Sequence, residues 1–325
     1  MPRVSVILNC YNHEPYVAEA VESVLAQTFA DFELVLIDNG STDGSRAVLG
    51  RFDDPRIRRF YHDRNESLSK RLNEGVAAAA GEFVAVLYSD DVMLPDKLER
   101  QVEMFDALPR DHGVVYCPAI GFNQFTGARW THNSFALFGD ISVRMFDLFF
   151  DGPIDMSSPL TRSKCFREHS WHEDLFGDGE AVFLRIAAAG TKFHFDPEPT
   201  VMLRDHDGNL GKSIRGNGDM HLEVLARLER SRTLSGRAVK ALRRHRARYA
   251  VNTAWSYARL GGEDRAWLRG KLGASLRSSP LAALTQWRFP GALALALLPR
   301  GLGRAANRIG DRLSSTPANR ALVDG

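Results

Sequence analysis

The chain has 325 residues, 44% hydrophobic and 25% charged, which is enough apolar material for one large domain or two with substantial cores. Cys10, Cys117 and Cys165 are too few and too widely spaced for a disulfide framework or a CxxC metal site, and they point to a reducing compartment. The net charge of +2 conceals an asymmetry, with 24 Lys+Arg against 36 Asp+Glu through Arg230 and 18 against 4 from Ser231 onward. Val4–Leu8 reads as a strand and is too short for a secretory leader. It runs into the polar loop Asn9-Cys10-Tyr11-Asn12-His13-Glu14. Pro15 then opens a helix in which Val17, Val21, Val24 and Leu25 share a face. Phe32–Ile37 is a second strand, ending in the turn Asp38-Asn39-Gly40-Ser41-Thr42-Asp43, with Asp43 placed to cap the helix carrying Ala47, Val48 and Phe52. Ile57–Tyr61 is a third strand, Leu68–Ala80 a helix, Phe83–Tyr88 a fourth strand and Pro95–Leu108 a helix. Strands alternating with helices of this length imply βαβ units and a mainly parallel sheet.

Beyond a strand at Gly113–Cys117 the pattern is less regular. Gly121–Arg129 reads as a hairpin, Ile141–Phe150 as a short helix, Asp178–Ala189 as a helix, and Phe193–Phe195 and Val201–Leu203 as strands. From Met220 the chain is helical and basic. Leu281–Leu284 and Leu293–Leu298 are apolar, but Gln286, Arg288 and Pro290 interrupt them, so no run of about 20 apolar residues spans a bilayer. An amphipathic segment lying on an anionic membrane surface, with Arg277, Arg288, Arg300, Arg304 and Arg308 toward the lipid, is one reading of this region; a packed helical hairpin is the other.

The most informative stretch is Phe83–Asp91, where an apolar strand delivers two adjacent carboxylates, Asp90 and Asp91, at its carboxyl end. In an open α/β sheet ligands bind at that end. Paired Asp there suits a hard divalent cation shared with substrate phosphates, while an Asp-rich turn leading into the next helix is the plainer account. A dinucleotide-dependent oxidoreductase would need a Gly-rich turn directly after the first strand, and Asn9–Glu14 contains no glycine. The Arg-rich tail carries no recognised nucleic-acid reader motif.

Several motifs in order resemble glycosyltransferase family 2. They are Val4–Asn12 with Ser23-Val24-Leu25-Ala26-Gln27-Thr28, then Glu33–Asp43, Leu72-Asn73-Glu74-Gly75, Ala80-Gly81-Glu82-Phe83 and Ser89-Asp90-Asp91. The resemblance is dense over residues 3–110 and loose over 155–215. It implies an α/β fold of the GT-A type: a mixed, mostly parallel sheet flanked by helices, over residues 1–230, with a basic helical region at 231–325. It also implies an inverting transfer of a sugar from a nucleotide diphosphosugar to an acceptor hydroxyl, in cell-envelope polysaccharide or glycolipid synthesis. The expected setting is the cytoplasm, at the inner face of the plasma membrane, with a glycan or lipid-linked acceptor. Transfer to polyprenyl phosphate and non-catalytic binding of a nucleotide sugar remain alternatives.

On this resemblance Asn9, Tyr11 and Asn12 meet the base and ribose, and Asp38 accepts a hydrogen bond from base or ribose. Arg71, with Lys70, reaches the diphosphate or forms part of a solvated helix face. Asp90 and His206 hold Mn2+ or Mg2+, Asp91 lies beside them toward the donor sugar, and Arg204 holds phosphate oxygens. Tyr88 stands where many relatives have an acid, which removes one oxygen ligand. The general base is expected at Asp178, in Gly177-Asp178-Gly179-Glu180, with Glu180 and Asp174 in reserve.

Overall fold

The structure, a computed structural model, describes residues 1–132, 136–146, 154–175, 179–209 and 214–297. It divides into two compact units, Met1–Asp207 and Gly208–Gly325. In the first unit the strands are β1 (Val4–Cys10), β2 (Phe32–Asp38), β3 (Ile57–Tyr61), β4 (Phe83–Tyr88), β5 (Val92–Met93), β6 (His112–Tyr116), β7 (Ala119–Asn123), β8 (Arg129–His132), β9 (Leu160–Arg162), β10 (Lys192–Phe195) and β11 (Val201–Asp205). The helices are α1 (Val17–Leu25), α2 (Ser45–Leu49), α3 (Leu68–Ala78), α4 (Lys97–Ala107), α5 (Ser163–Glu168) and α6 (Val182–Ala188), the last entered through a 3-10 turn at Gly179–Ala181.

A seven-stranded sheet runs β10-β6-β9-β4-β1-β2-β3, parallel except where β9 pairs antiparallel with β4 and β6. Every residue of β1 and β2 is buried, as expected for central strands covered on both faces. The order reverses at β1, with β2 on one side and β4 on the other. That reversal makes a crevice at the strand carboxyl ends, the usual ligand position of such sheets. A second, four-stranded sheet, β5-β11-β7-β8, joins the chain just after Asp91 to the chain just before His206.

Polar residues of the early motifs fasten the strand ends. Glu33 Oε1 accepts from Ser5 Oγ (2.6 Å) and Ala80 N (2.7 Å), and Gly81 N donates to Ser5 Oγ, locking β1, β2 and the entry to β4 together. Gln27 donates to Leu94 O and accepts from Leu98 N, while Thr28 N donates to Pro95 O, so α1 grips the corner that follows the paired aspartates.

The second unit contains α7 (Ile214–Arg230), α8 (Gly236–Arg259), α9 (Arg265–Ser278), α10 (Pro280–Leu284) and α11 (Arg288–Leu297). Its core includes Val251, Ala254, Tyr257, Leu268, Leu272 and Phe289. The sequence places the division at residue 230; here it lies after Asp207, because α7 packs along α8 as part of the helical unit. The helix expected at Ile141–Phe150 lies in part outside the described residues, which hold a turn at 142–144 and helical residues at 145–146.

Candidate functional site

Antiparallel pairing of β5 with β11 matches Met93 with Val201 and Val92 with Met202. Running that ladder back toward β4 and onward through β11 carries Asp91 and Asp90 against Arg204 and His206. Arg204 N donates to Asp91 Oδ1 (3.2 Å), and Arg204 Nε donates to the Asp90 carbonyl (2.9 Å). The Arg204 guanidinium lies over the rings of Tyr16 and Phe122, 5.2 and 4.6 Å from their centroids, and also pairs with Glu19. It thus braces the acidic turn.

Asp90 is the centre of the arrangement. His206 Nε2 lies 3.1 Å from Asp90 Oδ2, and His13 Nδ1 lies 3.8 Å from Asp90 Oδ1 and 2.8 Å from Ser89 Oγ. One donor atom from each of His13, Asp90 and His206 falls within 4.8 Å of the other two, and among the described residues this is the group with the composition and spacing to hold a metal ion. Tyr16 packs against the His206 ring at 4.6 Å. Burial pushes the His13 pKa down and the neighbouring His206 adds to this, against the pull of Asp90. A neutral imidazole is the form that ligates a cation. Two ring nitrogens and a carboxylate oxygen suit manganese and its transition-metal neighbours better than magnesium, which favours oxygen throughout.

Asp91 stands behind this group. Ser157 Oγ donates to its Oδ2 (2.7 Å), and burial followed by the adjacent Asp90 pushes its carboxyl well above the ordinary range. Tyr88, at the end of β4 just before the paired aspartates, has its hydroxyl pushed up by burial and then by Glu180. Asp155 is half-buried nearby, raised to about 7 by burial and by Glu180, with its buried Oδ2 lacking a partner.

The remaining expected residues fall at the ends of β1 and β2. Asn9 is buried and its Oδ1 has no hydrogen-bond partner, an orphan acceptor beside Tyr88 in the β1–β4 crevice. Tyr11 is partly exposed. Asn12 has a φ of 54° and clasps the two loops together: its Oδ1 accepts from Thr42 N (2.8 Å) and its N donates to Ser41 Oγ. Asp38 is fully buried, accepting from Arg46 Nε (2.9 Å) and Ser41 N. Asp43 accepts from Ser45 N at the start of α2 and from Glu14 N, but it sits one residue before the cap position, which Gly44 occupies.

Arg71 is not the open donor the sequence suggests. It is 3% exposed, and its guanidinium bonds Asn39 Oδ1, Glu74 and Glu66, which makes it a brace for the loop after β2. Lys70 pairs with Glu66 on the helix surface. Asp178 lies outside the described residues, but the chain on either side of it is fixed. Asn73 bonds Trp171 N and O and Glu173, and Trp171 Nε1 donates to Gly179 O (2.9 Å). Burial raises Cys10 to about 11, so its thiol is no nucleophile.

His13 is the residue that sequence reasoning missed. It sits in a polar loop with no ligand-type spacing to His206, and its position just past β1 is the one signal available. The β5–β11 pairing was equally hidden, because two residues make too short a strand to read.

Residues 5–168, just over half of the chain, match the family described as Glycosyl transferase family 2. The succinoglycan biosynthesis protein ExoO of Rhizobium meliloti is 38% identical over 107 residues, 33% of this chain and 31% of that protein. The putative teichuronic acid biosynthesis glycosyltransferase TuaG of Bacillus subtilis is 39% identical over 104 residues, 31% of this chain and 41% of that one. The chain therefore spans less than half the length of these curated relatives. Among solved structures, S. aureus TarS 1-349 in complex with UDP-GlcNAc superposes with a TM-score of 0.67 at 15% identity, covering 98% of this chain and 93% of that one. The mannosyltransferase PcManGT from Pyrobaculum calidifontis, in complex with GDP-Man and Mn2+, superposes with a TM-score of 0.60 at 15% identity, covering 98% and 82%. These two likenesses show the fold, a GT-A glycosyltransferase fold.

Proposed function

The chain belongs to glycosyltransferase family 2, and from that premise we propose that it transfers a sugar from a nucleotide diphosphosugar to an acceptor hydroxyl with inversion at the anomeric carbon. The observation that carries this reading is the convergence of His13, Asp90 and His206 at the carboxyl end of the β1–β4 crevice. A carboxylate and two imidazoles there suit a divalent cation, Mn2+ ahead of Mg2+. When bound, the cation would neutralise charge developing on the departing nucleoside diphosphate.

The chain's own residues would do the rest. Asn9 Oδ1, buried and without a partner, is an acceptor for a base or ribose donor, and the partly exposed Tyr11 offers a ring face beside it. Asp38, held by Arg46 and the Ser41 amide, is fixed in one orientation. Arg204 and Ser157 hold the turn that presents Asp90. Asp178 is the proposed proton acceptor, with Glu180 and Asp174 in reserve; before and after it in sequence, Trp171 and Gly179 are hydrogen-bonded to each other and Trp171 to Asn73. Asp155 is a further candidate, since a carboxyl titrating near neutrality is matched to accepting a hydroxyl proton. Transfer from the face opposite the leaving group inverts the centre. Relatives named for succinoglycan and teichuronic acid biosynthesis support an acceptor in cell-envelope polysaccharide synthesis.

The test is a panel of nucleotide sugars screened by thermal shift with and without manganese, followed by turnover of whichever donor binds. One donor should raise the melting temperature selectively and only with the cation, since a ligand that binds the native state stabilises it, and hydrolysis or transfer should follow. Stabilisation without any turnover would convert the reading to a nucleotide-sugar binder. No stabilisation by any donor would remove it.

A further inference from the structure

We propose that the helical unit carries a docking surface for an anionic bilayer, formed by an apolar ridge on α10 and α11 beside an arginine-lined cavity. The ridge is made of Leu281, Leu284, Trp287, Leu293 and Leu297, which are 75%, 60%, 72%, 38% and 65% exposed. They are not stray surface residues. Leu281 and Leu284 are one turn apart on α10, Leu293 and Leu297 one turn apart on α11, and Trp287 joins the two helices. Ala283, Phe289, Ala292 and Ala296 point the other way and are buried, so both helices are packed on one side and bare on the other. Two large side chains per helix and a Trp exposed together mark an interaction surface.

Charge decides the occupant. Residues 265–297 contain no Asp or Glu but five bases, Arg265, Arg269, Lys271, Arg277 and Arg288. Immediately before the ridge, Arg277 and Ser278 line a cavity of about 360 Å3 with Arg243, Arg246 and Glu229. Glu229 accepts from Arg243 Nε (2.6 Å) and Arg246 Nη1 (2.9 Å), which orients two guanidinium groups, while Arg277 is exposed. Three arginines against one carboxylate leave the cavity positive, a match for a lipid phosphate. A second copy of this chain docked ridge to ridge would bring Arg277 and Arg288 against like charges, and an acidic soluble partner would leave the Trp and Leu side chains without apolar cover. No described helix is long and apolar enough to cross a membrane, so the surface lies at the interface, with apolar side chains at the acyl boundary and arginines at the headgroups. Trp287, edge-on to Trp255 and with Arg288 over its ring, has the amphipathic position such residues take at that boundary.

The experiment is flotation of the full chain with vesicles of phosphatidylcholine alone and of phosphatidylcholine mixed with phosphatidylglycerol. The full chain should float with the mixed vesicles, stay behind with the neutral ones, and be released by high salt. The double variant Leu284→Ser with Trp287→Ser should partition about tenfold less or weaker still, with unchanged helical ellipticity because both side chains are exposed. Arg277→Gln should weaken binding to the mixed vesicles alone. Equal flotation of the double variant, or equal binding to neutral and anionic vesicles, would overturn the proposal. So would self-association that the double variant abolishes in the absence of any vesicle binding.

Discussion

At the scale of single residues, the side chains of the candidate cation site meet only in three dimensions. Asp90 and His206 are legible in the sequence, one at a strand end and the other in a late motif, whereas His13 becomes visible only when β1 and β4 lie side by side. Conversely, Arg71 has the chemistry of a phosphate donor, but the Asn39, Glu66 and Glu74 oxygens that surround it come from separate stretches of sequence. His13→Ala should raise the manganese concentration needed for donor binding at least about tenfold, since removing even an outer partner of a ligand costs that much. Asp90→Asn should lower the transfer rate about a hundredfold or more by removing the central anion. Titration of donor binding with manganese checks both; an unchanged cation requirement in His13→Ala would remove that residue from the ligand set. Asp155 makes a pH prediction. Its folded pKa, about 7, lies above the ordinary carboxylate value of 3.8, so folding favours the proton-bound form. The Asp155 contribution to stability is therefore greatest at low pH and is lost as pH rises from about 4 through 7, by up to ~4 kcal/mol. Asp155→Asn should raise the melting temperature at pH 8 by several degrees and change it little at pH 4.

At the scale of elements, the long alternating pattern is what sequence reads well. The strands Phe32–Ile37 and Phe83–Tyr88 appear within one residue of where periodicity puts them, because each is a buried central strand, and the short edge strand Ile57–Tyr61 is found at its expected bounds although only Ile57 is buried. The two-residue β5 and three-residue β9 have no such signature, although β5 aligns the acidic turn and β9 inserts antiparallel between β4 and β6. The packing of α7 on α8 carries a second titrating feature. His221 and His245 face each other with Nε2 atoms 3.2 Å apart, and Tyr249 stacks on His221. Burial lowers His221 to about 4 and His245 well below its usual value, with His221 and Arg248 adding to the latter. Each imidazole is neutral in the folded helices and binds a proton more readily in the unfolded chain. Their contribution is intact above the ordinary His pKa of about 6.5 and erodes as pH falls from there toward 4, by about 1.4 kcal/mol per pH unit for each. Loss of helical ellipticity on heating should therefore come at clearly lower temperature at pH 5 than at pH 7. Replacing both histidines by leucine should flatten that difference.

At the scale of the whole molecule, the charge asymmetry follows the two-unit division. The acidic share lies with the sheet-bearing unit that carries Asp90, the basic share with the helical unit that carries the exposed ridge. Composition alone announced that separation, because segregated charge survives any rearrangement of the chain. It left the boundary itself unread, since α7 has the mixed charge of the first unit and the packing partner of the second. The central claim is that His13, Asp90 and His206 together seat the cation that holds a nucleoside diphosphate. Anomalous diffraction from crystals grown with manganese and a nucleoside diphosphate tests it most directly. A manganese peak bonded to one atom of each of these three residues and to diphosphate oxygens is the expected result; a peak bonded to Asp90 with His13 turned away, or a diphosphate seated without manganese at this group, would contradict the claim.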